Sequence, residues 1–270
     1  MQKRPYLVVH PSWMVSLSTL FTAAPTRMNF LLLFDHVEKI PELTAEFVNT
    51  VRKDDSALTV ILDNGVWENQ SVPSSHQLVN VAALAGVDYI VAPDILKGSA
   101  KDNIELAREF VTYLRDRQLK AKKPKALVMV QGQNSNDILT HWTSGVIREL
   151  AFLGVDMFGI PRHIADSGES RAPLVRRVHA AAPNVGIHLM GMSRNPHDDK
   201  VSYQAAGVTG IDSAKPLWMS PGEFEMYLAG YGYGSRPKKF FSELLASQDL
   251  NCVSCNIKRY YRFLKVEVAL

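Results

Sequence analysis

Three segments of this chain decide the fold: LAGVDYI at positions 84–90, LGVDMFGI at 153–160 and AAGVTGID at 205–212. In each of them a predicted helix closes on a small residue and a glycine, and an apolar strand begins at once. Glycine closes helices readily because it adopts the left-handed conformation without a steric penalty. The recurrence of this design indicates a chain built from alternating helices and strands.

Eight short apolar runs are predicted as strands, and they lack the apolar–polar alternation of half-exposed strands. The predicted strands are 6–9, 30–34, 59–62, 88–92, 126–130, 156–160, 186–190 and 209–211. Apolar residues at helical spacing lie between them, at 41–53, 99–114, 137–153, 170–182 and 199–206. Eight strands alternating with helices predict a (β/α)₈ TIM barrel. An open doubly wound sheet is the alternative, although no GxGxxG follows the first strand.

The pattern changes after Trp218. We therefore divide the chain into a (β/α)₈ barrel at 1–220 and a C-terminal extension at 221–270 packed on the barrel. Helices are predicted in the extension at 223–228 and 242–245. The tail at 251–263 (NCVSCNIKRYYRF) mixes cations with aromatic residues. This composition suits either an amphipathic segment docked on the barrel or a surface that binds phosphates and bases.

The composition is that of a cytoplasmic, enzyme-sized globular protein. Of 270 residues, 46% are apolar and 21% charged, and the net charge is +3. No run approaches 18 apolar residues, and the first residues lack the apolar stretch of a signal peptide, so we expect no membrane association. Two cysteines cannot form a disulfide framework and fit a reducing compartment. The mild positive charge is compatible with a polyanionic partner, and the oligomeric state stays open.

Polar residues follow several predicted strands at the points where those strands end. Asp63, Asp94, Gln131 and Asp212 each occupy such a position. In a TIM barrel the C-terminal ends of all strands meet at one face, which we call the mouth, and chemistry gathers there. A single aspartate at such a junction is as often a helix cap. The joint occurrence favours a functional site at the mouth.

The segments LDNGVW, YIVAPD, VMVQG, FGIP, HLMGM and GVTGID, in this order over about 150 residues, resemble the motifs of the tRNA-guanine transglycosylase family. The compact length is similar to the phage-type deazapurine DNA-modification transglycosylases, a sister group that acts on DNA. The resemblance implies that guanine in a nucleic acid is exchanged for a 7-deazaguanine through a covalent aspartyl intermediate.

The resemblance assigns Asp212 as the nucleophile and Asp63 as the general acid and base. It also implies a pocket for the base formed by Asp94, Gln131, the backbone of Gly159 and Ile160, Trp67 and Met190. A carboxylate suits the adjacent N–H donors of guanine, and an amide or backbone N–H suits its carbonyl. Trp67 and Met190 would stack on opposite faces of the ring.

Three features depart from the family pattern. Val66 replaces a glycine, and Ser213 to Pro216 stand where the family carries arginines. The zinc motif is reduced to Cys252 and Cys255, with no histidine after them. Because two ligands do not complete a tetrahedral site, we expect no metal and no cofactor unless distant residues or a second subunit supply further zinc ligands.

The expected partners are DNA and a free 7-deazaguanine base, and tRNA is the alternative polymer. The reduced zinc motif and the lack of an evident RNA-binding domain favour DNA. A non-catalytic partner subunit and a barrel enzyme acting on a small free substrate are further hypotheses, although retention of Asp63 and Asp212 speaks against the first. Asp35 and His36 are candidates for orienting the carboxylates or the ribose. His10 and His188 are interpreted as packing or loop residues.

Overall fold

The computed structural model describes residues 3–15, 17, 29–66, 71–117, 123–230 and 250–265. Eight parallel strands close a barrel in chain order, and β8 pairs with β1. The strands are β1 (Tyr6–Val9), β2 (Asn29–Leu33), β3 (Val60–Asp63), β4 (Tyr89–Val91), β5 (Lys125–Met129), β6 (Val155–Pro161), β7 (Gly186–Met190) and β8 (Val208–Ser213). The predicted TIM barrel is confirmed, and the open doubly wound sheet is wrong.

Helices separate the strands and cover the barrel. They are α1 (Phe34–Val37), α2 (Pro41–Asp54), α3 (Ser75–Ala85), α4 (Ala100–Asp116), α5 (Ser135–His141), α6 (Ser144–Leu153), α7 (His163–Asp166), α8 (Ala172–Ala181), α9 (Pro196–Gln204), α10 (Lys215–Trp218), α11 (Pro221–Leu228) and α12 (Leu250–Lys265). The glycines that end α3 and α6, Gly86 and Gly154, have φ values of 67° and 118°. The predicted glycine closure of these helices is therefore confirmed.

The single helix predicted at 137–153 is wrong, because the chain breaks there into α5 and α6. Trp142 lies at the break, fully buried, and its indole N–H donates to the carbonyl of Gln131 at 2.9 Å. The Thr143 side chain then accepts from the Val146 N–H and caps α6. The break thus lets one large aromatic side chain support the end of β5.

The sequence analysis predicts no helix at α3, which a Ser74–Gln77 capping box begins.

Apolar side chains form two layers of core. One layer fills the barrel lumen and comprises Tyr6, Leu31, Leu33, Ile61, Tyr89, Val91, Leu127, Met129 and Met157, with Val8 and Met190 against it. The other lies between the strands and the surrounding helices and includes Leu32, Leu62, Val128 and Ile160. Because side chains alternate along a strand, a residue two positions away from a lumen residue also faces the lumen.

The C-terminal helix α12 docks on the barrel. Val253, Ile257, Tyr260 and Leu264 are buried along one face of it. The Asn256 amide donates to the carbonyls of Pro216 and Met219, and the Tyr260 hydroxyl donates to that of Ile211 at 3.2 Å. The part of the tail that the structure describes, 250–265, is therefore a helix packed through one face against the elements that follow β8. The helix predicted at 242–245 lies outside the described residues. No helix in the described part of the chain is long and apolar enough to cross a bilayer.

Candidate functional site

Strand alternation points the predicted site residues into the barrel mouth. Ile61 and Met129 belong to the lumen layer, so Asp63 and Gln131, two residues further along, lie on the same inward side. On β8, a Cβ at Gly210 would contact Tyr6 and His188 in the lumen, so Asp212 also faces inward. The structure therefore brings Asp63, Gln131 and Asp212 to one end of the lumen, as the sequence predicts.

Asp212 is held by two donors. Its side chain is buried, and Oδ1 lies 3.0 Å from Nε2 of His188 and accepts from the Gly191 N–H at 2.9 Å. Both contacts reach Oδ1, and no described residue donates to Oδ2. A carboxylate fixed through one oxygen presents the other in a defined direction, so it could meet a substrate atom at Oδ2.

Asp94 is a buried carboxyl held by Asn64. The Asn64 amide donates to Asp94 Oδ1 at 2.6 Å and to the Ala92 carbonyl at 2.8 Å. Burial raises the pKa of Asp94 to about 6, and the hydrogen bond from Asn64 opposes that rise only in part. The Asp94 carboxylate is therefore mostly ionised at neutral pH. Because it is buried, further N–H donors would stabilise its charge.

Asp63 is half-buried at the end of β3, in register with Leu33 of β2. Its Oδ1 accepts from the Asn64 N–H at 2.9 Å. Asn64 thus contacts both carboxyls, one through its backbone and one through its side chain. This link joins the loops that follow β3 and β4 and fixes the two carboxyls relative to each other.

The other predicted pocket residues that the structure describes lie just after β5 and on β6 and β7. Gln131 is buried, and its amide donates to the Ile95 carbonyl at 3.3 Å. A Cβ at Gly159 would collide with Met129 and come within 3.2 Å of Met190, so the glycine makes room for both methionines. The Ile160 side chain faces the surrounding helices, which leaves its backbone for any role at the mouth. Met190 packs partly exposed against the lumen layer. Trp67 lies outside the described residues.

A histidine pair lies at the ends of β1 and β2. The rings of His10 and His36 are 4.9 Å apart, and His36 Nε2 is 3.7 Å from Asp35 Oδ2. Burial lowers the pKa of both histidines. Both rings are therefore mainly neutral at pH 7.

A buried ionic network supports the loop after β7. Arg171 is fully buried, pairs with Asp198 and Asp199, and donates to the Gly191 carbonyl at 3.1 Å. Lys215 donates to the Met192 carbonyl at 2.6 Å, and burial lowers its pKa to about 8. Since Gly191 also donates to Asp212, this network fixes one of the two groups that hold the carboxylate.

Sequence reasoning missed His188, Asn64 and Arg171. His188 is buried and packed against Tyr6, as the packing interpretation expects, and its Nε2 also lies 3.0 Å from Asp212 Oδ1, which the sequence did not indicate. One signal was available: His188 precedes Met190 by two residues on a predicted strand, so both face the same side. No sequence signal identifies Arg171, since its partners are set by the packing of α8 against α9.

Cys252 and Cys255 lie one turn apart on α12, and neither forms a disulfide. Cys252 is partly buried and Cys255 exposed. Within the described ranges, no three His, Cys, Asp or Glu side chains are grouped so that they could hold a metal ion. The two thiols therefore have no third ligand in the described part of the chain.

Comparisons with known proteins identify the fold of this chain and no family. No protein-family profile matches the sequence, and no curated protein matches it either. Among solved structures, a candidate fructose-1,6-biphosphate aldolase from Coccidioides immitis is similar with a TM-score of 0.58 and 14% identity, over 97% of this chain and 89% of that one. A D-psicose 3-epimerase solved in the presence of D-fructose is similar with a TM-score of 0.54 and 11% identity, over 98% and 99%. At such identities the likeness shows the barrel fold alone.

Proposed function

We propose that this protein is a base-exchange transglycosylase that replaces guanine in DNA with a 7-deazaguanine derivative. The observation that carries the proposal is the Asp212 carboxylate, buried at the barrel mouth with Oδ1 fixed by His188 and Gly191. The inward-facing Asp63 and the buried Asp94 support it, because base exchange needs a proton carrier and a group that recognises the purine edge.

In the first half-reaction an electron pair on Asp212 Oδ2 forms a bond to C1′ of the target nucleotide. The C1′–N9 bond breaks, its electron pair stays with the guanine, and Asp63 donates a proton to the departing base. A carboxylate suits this step because the anomeric carbon gains oxocarbenium character. In the second half-reaction the incoming base loses its N9 proton to Asp63 and attacks C1′. The C1′–Oδ2 bond breaks and returns its electron pair to Asp212.

Asp94 is proposed to recognise the base. Its ionised form accepts the adjacent ring and amino N–H groups of guanine or of a 7-deazaguanine, which share this edge. Gln131 lies just after the neighbouring strand, β5, and its amide is proposed to meet the base carbonyl. Met190 is proposed to cover one face of the ring, with Trp67 on the other.

Asp94 makes base binding depend on pH. Only the ionised carboxyl accepts both donors, so affinity is full above the Asp94 pKa of about 6 and falls as the pH drops through it. For the wild-type chain we expect free 7-deazaguanine to bind about tenfold more weakly at pH 5 than at pH 7.5. Calorimetric titration measures this. Asp94→Asn should bind about 10- to 100-fold more weakly at pH 7.5 and lose the pH dependence. Equal pH dependence in both proteins would exclude this role for Asp94.

The polymer is proposed to be DNA whose target guanine leaves the stack. A carboxylate cannot reach C1′ while other groups read the base edge unless the nucleotide is flipped out, at a cost of a few kcal/mol in a perfect duplex. We therefore expect faster exchange at a mismatched or single-stranded guanine than at a paired one. We also expect binding to weaken with salt, because the phosphates must be held.

The test incubates the protein with labelled 7-deazaguanine and paired DNA, mismatched DNA, single-stranded DNA or bulk tRNA. Label in DNA supports the proposal. Label confined to tRNA would replace DNA with the alternative polymer while leaving the Asp212 chemistry in place. No label in any polymer would favour the non-catalytic subunit or an enzyme acting on a small free substrate.

A further inference from the structure

His188 lies in the barrel lumen directly behind the proposed nucleophile. It is fully buried on β7, and its Nε2 is 3.0 Å from Asp212 Oδ1. The Tyr6 ring meets the imidazole edge-on, with 4.7 Å between ring centroids. The imidazole is therefore held by packing, and its one polar contact with a described residue is the Asp212 carboxylate.

The surroundings of the imidazole fix which nitrogen carries the proton. Nδ1 is buried without a hydrogen-bond partner among the described residues, and it faces Gly210, where a Cβ would lie 2.8 Å away. A proton on Nδ1 would be a buried donor with no acceptor, which is costly. A proton on Nε2 points at a carboxylate oxygen. The neutral ring with its N–H on Nε2 satisfies both conditions.

We propose that His188 is a positioning residue for Asp212: its Nε2–H, together with the Gly191 N–H, holds Oδ1 so that Oδ2 alone attacks C1′. The inference rests on the proposed function and deepens it. His188 neither gives up nor takes a proton in this scheme. Its contribution is a fixed donor supplied from the strand next to β8.

The same two donors act in the second half-reaction. In the covalent intermediate Oδ1 is the carbonyl oxygen of a glycosyl ester, and His188 and Gly191 still donate to it. When the C1′–Oδ2 bond breaks, the returning electron pair spreads over both carboxyl oxygens. Donors already aimed at Oδ1 stabilise that charge and make Asp212 a better leaving group. Loss of the His188 donor should therefore slow release from the intermediate.

The experiment compares His188→Leu, which removes the donor, with His188→Gln, which keeps an N–H at similar reach. For His188→Leu we expect kcat to fall roughly 10- to 100-fold while KM for the polymer stays unchanged. The covalent adduct should accumulate, and His188→Gln should recover most of the rate. A merely structural role would predict lower folded protein, unchanged kcat per folded molecule and no rescue by Gln.

Two further variants separate the donor from the packing around it. Tyr6→Phe retains the ring that meets the imidazole and should leave kcat nearly unchanged. Gly210→Ala alters no polar group, but its methyl group would lie 2.4 Å from the Tyr6 ring and 2.8 Å from His188 Nδ1, so we expect both rings to shift and the imidazole to move away from Asp212. It should therefore reproduce the kcat loss of His188→Leu. Full activity of folded Gly210→Ala whose His188 nitrogen signals are shifted from their wild-type positions would overturn the proposal.

A nitrogen-correlated NMR spectrum of imidazole-labelled protein tests the donor without any activity. The His188 signals, identified by their loss in His188→Gln, should show a neutral ring protonated on Nε2. A ring protonated on Nδ1 overturns the proposal whatever the kinetics. The expected spectrum in a protein that exchanges no base would overturn the proposed function while leaving the His188–Asp212 hydrogen bond established.

Discussion

Asp212→Asn is expected to abolish base exchange, lowering kcat by at least about 10³-fold, because an amide oxygen neither traps nor stabilises the developing cation at C1′. Wild-type protein incubated with DNA and no acceptor base should form an adduct that survives denaturation. The variant should form none. Denaturing electrophoresis of labelled DNA measures the adduct, and release of guanine measures the first half-reaction.

The fold of Asp212→Asn should be preserved, because the Asn side chain has the same shape and its oxygen still accepts from His188 and Gly191. The thermal unfolding temperature should therefore stay within a few degrees of wild type. Asp116→Asn, at an exposed position at the end of α4, is the matched control and should exchange base normally. Near-wild-type exchange by folded Asp212→Asn would move the nucleophile elsewhere.

Asp63→Ala is expected to lower exchange by roughly 10²- to 10⁴-fold, the range that a positioned general acid contributes. Binding of the polymer should be largely kept, since Asp63 is proposed to act on the proton of the base. Single-turnover release of guanine measures the chemical step, and fluorescence anisotropy of labelled DNA measures binding. Full activity would transfer the proton-carrying role, with Asp35 the next candidate.

A substrate that needs no proton separates this role from a loss of structure. N7-methylguanine carries a positive charge and leaves with the C1′–N9 electron pair as a neutral base. DNA with N7-methylguanine at the target position should therefore restore adduct formation in Asp63→Ala. It should not restore it in Asp212→Asn, which lacks the attacking oxygen. Failure of rescue in a folded Asp63→Ala protein would count against the acid role.

The fold could be predicted from the sequence because each strand of a parallel barrel is buried on both sides. The apolar runs at 6–9 and 186–190 match β1 and β7 without any shift, and the other strands differ by one or two residues at their ends. Gly86 and Gly154 close their helices as expected. These features depend on residues close together in the chain, so local sequence contains the information.

The helix break between α5 and α6 could not be predicted in this way. The apolar spacing of 137–153 suits one continuous helix. The break depends on Trp142, whose indole N–H bonds to the carbonyl of Gln131 at the end of β5. The Trp142 side chain is stabilised by an acceptor outside its own helix. The spacing of apolar residues within 137–153 cannot indicate that acceptor.

The sequence by itself determined that aspartates and a glutamine would follow the strands and meet at one mouth, because parallel strands bring their C-terminal ends together. Only the tertiary structure decided which of them touch. His188 contacts Asp212 from 24 residues away, and Asn64 contacts Asp94 from 30 residues away. Such contacts depend on the register and stagger of neighbouring strands. A shift of one residue would turn these side chains to the opposite face, so three-dimensional packing, more than residue type, sets the geometry of the site.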